Sequence, residues 1–278
     1  MARYLSFLLA ALACAAAINT LSPVFAAARG EVRRSQTEEE AAKALAEYVA
    51  DLSAKTVKER KKFTVAVAGG TLIHTMRKLL EEPYLHSVDW SAWHMFWVDE
   101  RAVPNSSTDS NYNLARVGFL SKVPIPAGSI HPVNTELAYD AAAADYEALI
   151  KKLMEDSTVA SSPAGLPKFD LILMGAGLDC HIASLFPGSP LLQEKQKWVA
   201  GVEKAIIAPR VTFSLPPINS AANLAFVITA SDLPDWSHAN LSACVKKGIE
   251  GGHDLPIQMV SPEGGFLWFL DSATSLEL

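Results

Sequence analysis

Short apolar runs alternate with longer segments of helical periodicity along most of the chain. An apolar run of four to eight residues bounded by glycine, proline or polar residues is typical of a buried strand. The run FDLILM, followed directly by two glycines, is the clearest case. The strands predicted in this way are 63–68, 93–98, 169–174, 198–202, 211–215, 225–229, 255–260 and 266–270.

Other segments place their apolar residues at helical spacing. Thr37 is a suitable N-cap for the first of them, and the acidic residues Glu38 to Glu40 favour the positive end of the helix dipole. The predicted helices are 37–56, 72–80, 111–120, 141–154 and 241–247. Because strands and helices alternate, the pattern predicts an α/β fold with a mostly parallel, Rossmann-like sheet and helices on both faces.

The segments between these elements are predicted as loops. Ser157 to Pro167 is rich in serine, proline and glycine, and we interpret it as a surface loop rather than a domain boundary, because the α/β alternation continues after it. A second loop is marked by Pro124 to Gly128. His131 lies in this second loop, and the sequence predicts an exposed side chain there.

The first 30 residues have the character of a targeting segment. The apolar run YLSFLLAALACAAAI follows Met1 to Arg3, no acidic residue precedes Glu31, and Val24 to Ala26 forms a small-residue cleavage site. These features are typical of a secretory signal peptide, with an organelle transit peptide or an uncleaved anchor as the alternatives. The sequence therefore predicts a targeting segment over 1–30 and a single domain over 31–278.

Composition narrows the function classes. The chain has 278 residues, of which 50% are hydrophobic and 19% charged, as in ordinary globular proteins. The net charge of -6 argues against a nucleic acid or a membrane surface as partner. The three cysteines, Cys14, Cys180 and Cys244, show neither a metal-binding spacing nor the pattern of a disulfide framework. An anionic small ligand would need basic residues gathered locally.

Glycines, charged residues and a histidine stand at the ends of the predicted strands. Because the carboxyl ends of parallel strands meet at one edge of a sheet, we expect these groups to converge there. The residues Asp99 to Arg101 either cap the sheet with ion pairs or face a ligand. The whole set consists of Gly69, Gly70 and Thr71 after strand 63–68, Asp99 to Arg101 after strand 93–98, Asp179 and His181 after strand 169–174, and Arg210 before strand 211–215.

This set suits an anionic ligand and acid–base chemistry. The guanidinium groups of Arg101 and Arg210 offer donors in a fork that matches two phosphate oxygens. Glycines between a strand and a helix let backbone amides approach an anion. A histidine beside an aspartate, as in Asp179 and His181, suits a general base near neutral pH.

Longer stretches around these residues resemble the 6-phosphogluconolactonases, within the superfamily of amino-sugar-phosphate isomerases and deaminases. The match spans roughly Glu38 to Asp271, and SLFPG distinguishes it from the deaminases, while SKVPIP and LPKFDLILMG resemble the plant-type members. The resemblance implies a fold of the NagB/RpiA/CoA transferase-like type. The stretches that carry it are WVDERAVP followed by DSNYNLA, GAGLDCHIASLFPG, APRVTFSLPPIN and WFLD.

The resemblance implies hydrolysis of 6-phospho-D-glucono-1,5-lactone to 6-phospho-D-gluconate, the second step of the oxidative pentose phosphate pathway. His181 then takes a proton from the attacking water, and Asp179 orients His181 or stabilises its charged form. No metal or organic cofactor is implied, and the partner is a small sugar-phosphate lactone. The family implies a plastid or the cytoplasm, in conflict with a secretory leader. The implied substrate-binding residues are Gly69, Gly70, Thr71, Asp99, Arg101 and Arg210.

Three positions depart from the family pattern. Ala68 replaces a serine of the phosphate loop, and the segment after Thr229 lacks a phosphate-binding lysine. Cys180 replaces a glycine, and a Cβ at a positive φ there costs about 1–2 kcal/mol and crowds the substrate. These changes support a second hypothesis, a weakly active or inactive lactonase-like protein that binds sugar phosphates. A third hypothesis is an amino-sugar-phosphate deaminase or isomerase, against which SLFPG argues.

Overall fold

The computed structural model describes residues 30–230 and 233–278. The predicted cleavage site and Cys14 therefore lie outside the described residues, as does all but the last residue of the targeting segment. No helix within the described ranges is both long enough and apolar enough to cross a bilayer.

Strands and helices alternate as the sequence predicts. The strands are β1 (Glu31–Arg34), β2 (Phe63–Val67), β3 (Trp93–Trp97), β4 (Asp99–Arg101), β5 (Ala160–Ser161), β6 (Pro167–Lys168), β7 (Leu171–Met174), β8 (Val199–Val202), β9 (Arg210–Phe213), β10 (Asn223–Ile228) and β11 (Gly265–Leu270). The α-helices are α1 (Glu38–Arg60), α2 (Thr71–Thr75), α3 (Tyr84–Ser87), α4 (Asn111–Gly118), α5 (Tyr139–Glu155), α6 (Leu215–Asn219) and α7 (Asp235–Glu250).

The main sheet has six strands in the order β1-β11-β10-β7-β2-β3, and every neighbouring pair is parallel. Strands β2 and β7 are buried along their whole length, as expected for central parallel strands covered on both faces. The predicted α/β class with a mostly parallel sheet is thus confirmed. The carboxyl ends of β2, β3, β7 and β10 lie at one edge, where ligands bind in open α/β sheets.

A second, antiparallel sheet has the order β4-β9-β8 and continues from the end of β3. Within it, Arg101 of β4 lies directly opposite Arg210 of β9. Arg210 therefore lies at the ligand-binding edge because its own strand, β9, pairs antiparallel with β4. Our expectation that parallel strands alone would bring these groups together was wrong for this residue.

Several predicted elements differ from the observed ones. The predicted strand 255–260 is wrong, because Pro256 at the first helical position begins a 3-10 helix, Pro256–Met259. The helix predicted over 241–247 is longer and begins at Asp235. Strand β1 was not predicted, since EVRR carries three charges, and it forms because β11 offers an edge. The exposed position predicted for His131 is also wrong, because its ring stacks on Phe96 and is only 8% exposed.

A buried carboxylate between α1 and the central sheet provides a test of stability. Asp170 accepts hydrogen bonds from Thr64 N and Thr64 Oγ1, both at 2.8 Å, and forms an ion pair with Arg60. Charge-assisted hydrogen bonds contribute about 1.5–3 kcal/mol, so we expect Asp170→Asn to lower the free energy of unfolding by about that amount. Urea denaturation measures it. Asp51→Asn, on the exposed side of α1, should change it by less than about 0.5 kcal/mol; equal losses in both variants would contradict the prediction.

Candidate active site

A cleft of about 240 Å³ lies at the carboxyl edge of the main sheet. It is mostly formed by the turns that follow β2, β3 and β7, together with the start of β9. The predicted convergence of strand ends is therefore observed. The cleft is lined by Ala68, Gly69, Gly70, Thr71, Leu72, Asp99, Arg101, Asn111, Gly175, Ala176, Gly177, His181, Ala183, Arg210 and Leu233.

The turn after β2 has glycines for two separate reasons. A Cβ on Gly69 would stand 1.9 Å from Asn111 Oδ1, so a side chain at this position would displace that amide. Gly70 has a φ of +70°, a conformation that residues with a Cβ rarely adopt. Gly70 also precedes the first residue of α2 and supplies no side chain to cap it. The backbone amides at the start of α2 consequently face the cleft without a capping side chain.

Arg101 and Arg210 form a pair of guanidinium groups on one wall. Arg101 donates to Asp109 O at 2.7 Å, and Arg210 donates to Ile206 O at 2.9 Å, while their buried Nε atoms have no hydrogen-bond partner among the described residues. Burial, and then the positive charge of Arg101, lowers the pKa of Arg210. Unsatisfied buried donors and two neighbouring guanidinium charges both favour an anion at this wall.

Asp99 joins this wall to the turn after β7. Its Oδ2 accepts a hydrogen bond from Ser184 Oγ at 2.8 Å and lies 3.8 Å from a terminal nitrogen of Arg210. Ser184 N in turn donates to Thr212 Oγ1 of β9 at 3.1 Å. Ser184 belongs to the SLFPG stretch, so these contacts explain physically why that stretch and the DER stretch occur together.

Glu100 points away from the cleft and organises the residues beside it. Its buried carboxylate accepts hydrogen bonds from Arg101 N, Asn111 N and Tyr112 N, each at 2.7 Å, and from Ser110 Oγ at 3.1 Å. Burial outweighs these hydrogen bonds and raises the pKa of Glu100. The three charged residues thus have different roles in the structure. Asp99 and Arg101 line the cleft, while Glu100 holds the start of α4 by hydrogen bonds.

Asn111 is a cleft residue that the sequence reasoning did not single out. Its side-chain nitrogen donates to Asp99 O at 2.9 Å, and its buried Oδ1 has no partner among the described residues. The signal was present in the stretch DSNYNLA, which follows the DER residues. Asn111 is the first residue of α4. At such a position the sequence pattern does not distinguish an asparagine side chain that faces a ligand from one that caps the helix.

His181 and Asp179 lie in the turn after β7. His181 Nδ1 is 2.5 Å from Asp179 Oδ1, and the ring packs against Phe186 at a centroid distance of 4.8 Å. A Cβ on Gly177 would meet His181 Nδ1 at 2.2 Å, so only glycine leaves room for the ring. Burial opposes ionisation of Asp179, but the hydrogen bond and charge of His181 outweigh it and lower its pKa. This geometry meets what a histidine base oriented by a carboxylate would require.

The structure brings together the predicted site residues. Gly69, Gly70, Thr71, Asp99, Arg101, His181 and Arg210 line the cleft, and Asp179 stands behind His181 in an adjoining groove. Among residues 30–230 and 233–278, no group of three or more histidine, cysteine or acidic side chains could hold a metal ion.

Cys180 forms a disulfide with Cys244 of α7, 64 residues away. Our interpretation that the cysteines show no disulfide pattern was therefore wrong for this pair, because a single long-range bridge leaves no spacing signature. Cys180 has a φ of +67°, which confirms the positive φ at the position where the family has glycine. Its sulfur bonds to α7 and Cys180 does not line the cleft, so the expected crowding of a substrate was wrong.

Comparison with known proteins places the chain among related sequences and folds. Residues 36–268 match the model of the family "Glucosamine-6-phosphate isomerases/6-phosphogluconolactonase". A rice relative (Oryza sativa subsp. indica), named "Probable 6-phosphogluconolactonase 4, chloroplastic", is 47% identical over 87% of this chain and 74% of its own length.

Two solved structures share the fold. A 6-phosphogluconolactonase from Trypanosoma brucei is 27% identical, with a TM-score of 0.70 over 90% of this chain and 98% of its own. A monomeric glucosamine-6-phosphate deaminase has the same TM-score of 0.70 over 88% of this chain and 99% of its own, at 19% identity. The fold is therefore common to both activities, and only the site can distinguish them.

Proposed function

The chain belongs to the family of glucosamine-6-phosphate isomerases and 6-phosphogluconolactonases, and on this premise we propose that it hydrolyses 6-phospho-D-glucono-1,5-lactone to 6-phospho-D-gluconate. The observation that carries the proposal is the hydrogen-bonded pair His181 and Asp179 in the same cleft as Arg101 and Arg210. A base and a cationic site in one cleft suit a phosphorylated ester whose carbonyl and phosphate are separated by the sugar ring.

In the proposed reaction His181 acts as general base. Asp179 accepts a hydrogen bond from the protonated Nδ1, which leaves Nε2 with a lone pair for water. The water oxygen bonds to the lactone carbonyl carbon as its proton moves to Nε2. The tetrahedral intermediate then breaks its bond to the ring oxygen, which takes the proton back from Nε2. Asp179 balances the imidazolium charge between the two steps, and base catalysis of this kind contributes about 10²–10⁴-fold.

Substrate binding is proposed to rest on the wall formed by Arg101 and Arg210. Arg101 and Arg210 contact the phosphate through guanidinium N–H groups, beside the backbone amides of Gly70 and Thr71. Each charge-assisted contact contributes about 1.5–3 kcal/mol. Asp99 positions Arg210 and, through Ser184, the turn that carries His181. The hydroxyl that Ala68 lacks matters less, because backbone groups provide the amides.

We propose that residues 31–278 act as one domain, with 1–30 as a targeting segment. The described part shares one apolar core, which includes residues of α1, β2, β7, β10 and β11. The chloroplastic label belongs to the rice relative. A plastid transit peptide, a secretory signal and a cytoplasmic location thus remain separate hypotheses, and fusion of the first 35 residues to a fluorescent protein distinguishes them.

The test of the function is hydrolysis of freshly prepared lactone. We expect the purified protein to form 6-phosphogluconate faster than the spontaneous background, measured by the rate of acid release in weak buffer. A rate equal to the background would support the alternative of an inactive sugar-phosphate-binding protein. Release of ammonia from glucosamine 6-phosphate would instead support the deaminase alternative.

A further inference from the structure

We propose that the Cys180–Cys244 disulfide positions His181 for lactone hydrolysis, and that its reduction by a dithiol reversibly lowers turnover. This inference rests on the proposed function. Cys180 stands between Asp179 and His181 in sequence, so any movement of its backbone moves both members of the pair. The bond joins this turn to the interior of α7.

The turn that carries His181 is anchored on its C-terminal side, where Ser184 contacts Asp99 and Thr212. Its backbone hydrogen bonds run from Cys180 N to Gly177 O and from Gly177 N to His181 O, both at 2.9 Å, within the turn itself. At Cys180 itself the hydrogen bond to another segment is longer, from Ile257 N to Cys180 O at 3.4 Å. Leu178 is exposed. The disulfide is therefore the one covalent tie between this turn and α7.

The backbone conformation at Cys180 gives this bond a second role. Cys180 has a φ of +67°, a conformation that a residue with a Cβ adopts with difficulty. Where glycine occupies such a position, the conformation needs no support. In this chain the Cys180 side chain makes the positive φ unfavourable, and the disulfide formed by the same side chain keeps the backbone from relaxing to a negative φ. Once the bond opens, the turn is free to relax toward negative φ, and His181 moves with it.

The other end of the bond lies in α7, the helix that follows the cleft residue Leu233. Cys244 is 2% exposed within α7, and this helix begins two residues after Leu233, which lines the cleft. His238, in the first turns of α7, lies with Nε2 3.1 Å from both Ala230 O and Leu233 O. The disulfide thus holds the His181 turn at a fixed distance from the helix that follows the Leu233 border.

The chemistry of the switch is thiol–disulfide exchange. One thiolate of the dithiol attacks a sulfur of the bond, which releases the other cysteine as a thiolate and forms a mixed disulfide. The second thiol of the reductant then displaces the remaining cysteine. Two electrons pass to the protein, Cys180 and Cys244 become thiols, and the dithiol becomes a cyclic disulfide. Because Cys180 is only 6% exposed, local opening of the turn precedes the attack.

The experiment compares turnover of 6-phosphogluconolactone before and after treatment with dithiothreitol. Alkylation followed by peptide mass spectrometry reports the state of Cys180 and Cys244. We expect reduction to lower kcat by about tenfold to a hundredfold, since small misplacements of a catalytic group have effects of this size. KM should change by less than about twofold, because Arg101 and Arg210 lie in the antiparallel sheet. Reoxidation should restore kcat.

Two variants serve as controls. Cys244→Ala should show the low kcat of the reduced protein and no response to dithiothreitol. The double variant C180G/C244A accepts the positive φ without a tether, and its kcat should also be insensitive to the reductant. Equal kcat for the oxidised and reduced protein, with both thiols shown to be free, would overturn the proposal. So would a response to dithiothreitol in the double variant.

Failure of the proposed function is recognised separately. If neither redox state hydrolyses the lactone, hydrogen exchange of a peptide covering residues 177–186 decides whether the disulfide orders the turn. Faster exchange after reduction, with unchanged exchange in β2 and β3, retains the positioning role. Unchanged exchange at 177–186 overturns it.

Discussion

Replacing His181 by alanine is expected to lower kcat for 6-phosphogluconolactone by about 10²–10⁴-fold, because general base catalysis contributes a factor of this size. KM should change little, since the proposed phosphate contacts come from Arg101 and Arg210, which are also in the cleft. The measurement is initial-rate kinetics corrected for spontaneous hydrolysis. A retained kcat would exclude His181 as the base and would direct attention to another group in the cleft.

Asp179→Asn is the matched control for this variant. The amide keeps the size of the carboxylate but offers Nδ1 a neutral partner, which no longer balances the imidazolium charge. We expect a smaller loss of kcat than in His181→Ala, because the Asp179 side chain is 55% exposed and solvent replaces part of its effect. His86→Ala, in the distant helix α3, should leave kcat unchanged, and a loss there would point to instability instead.

The fold could be predicted where one physical signal dominated. The apolar runs that became β2, β3, β7 and β10 form strands that are almost entirely buried, and this burial explains their mostly apolar pattern. The same pattern located the cleft, because parallel strands bring their carboxyl ends to one edge. Elements supported by partners distant in sequence were missed, as with β1, whose charged sequence pairs with β11.

The sequence identified many of the residues that line the cleft, but it did not identify the tertiary contacts that bring them together. The approach of Arg210 to Arg101 depends on antiparallel pairing, which no local pattern in APRVTF indicates. Burial of His131 depends on an aromatic partner, Phe96, 35 positions earlier in the sequence. The disulfide depends on the approach of α7 to the His181 turn, with Cα atoms 5.2 Å apart. Each of these is a tertiary contact between segments that are individually unremarkable.

The second large effect that we expect is a rise in KM when either arginine of the cross-strand pair, Arg101 or Arg210, is replaced. Arg101→Ala and Arg210→Ala are each expected to raise KM for 6-phosphogluconolactone by about 10- to 150-fold, the equivalent of one charge-assisted contact of about 1.5–3 kcal/mol. Arg210→Lys should recover only part of the affinity, because lysine keeps the charge and loses the fork of donors. Steady-state kinetics measures the effect, with Arg116→Ala on the exposed face of α4 as the surface control.

The unphosphorylated lactone, glucono-1,5-lactone, shows whether these arginines act on the phosphate. It presents the same reacting carbonyl without the anion, so its kcat/KM should be nearly equal in the wild type and in both alanine variants. The loss for the phosphorylated substrate should then reflect the anion contact alone. A parallel loss on both lactones would instead assign Arg101 and Arg210 to the reacting carbonyl or to the packing of β4 against β9, and the phosphate would have to bind elsewhere in the cleft.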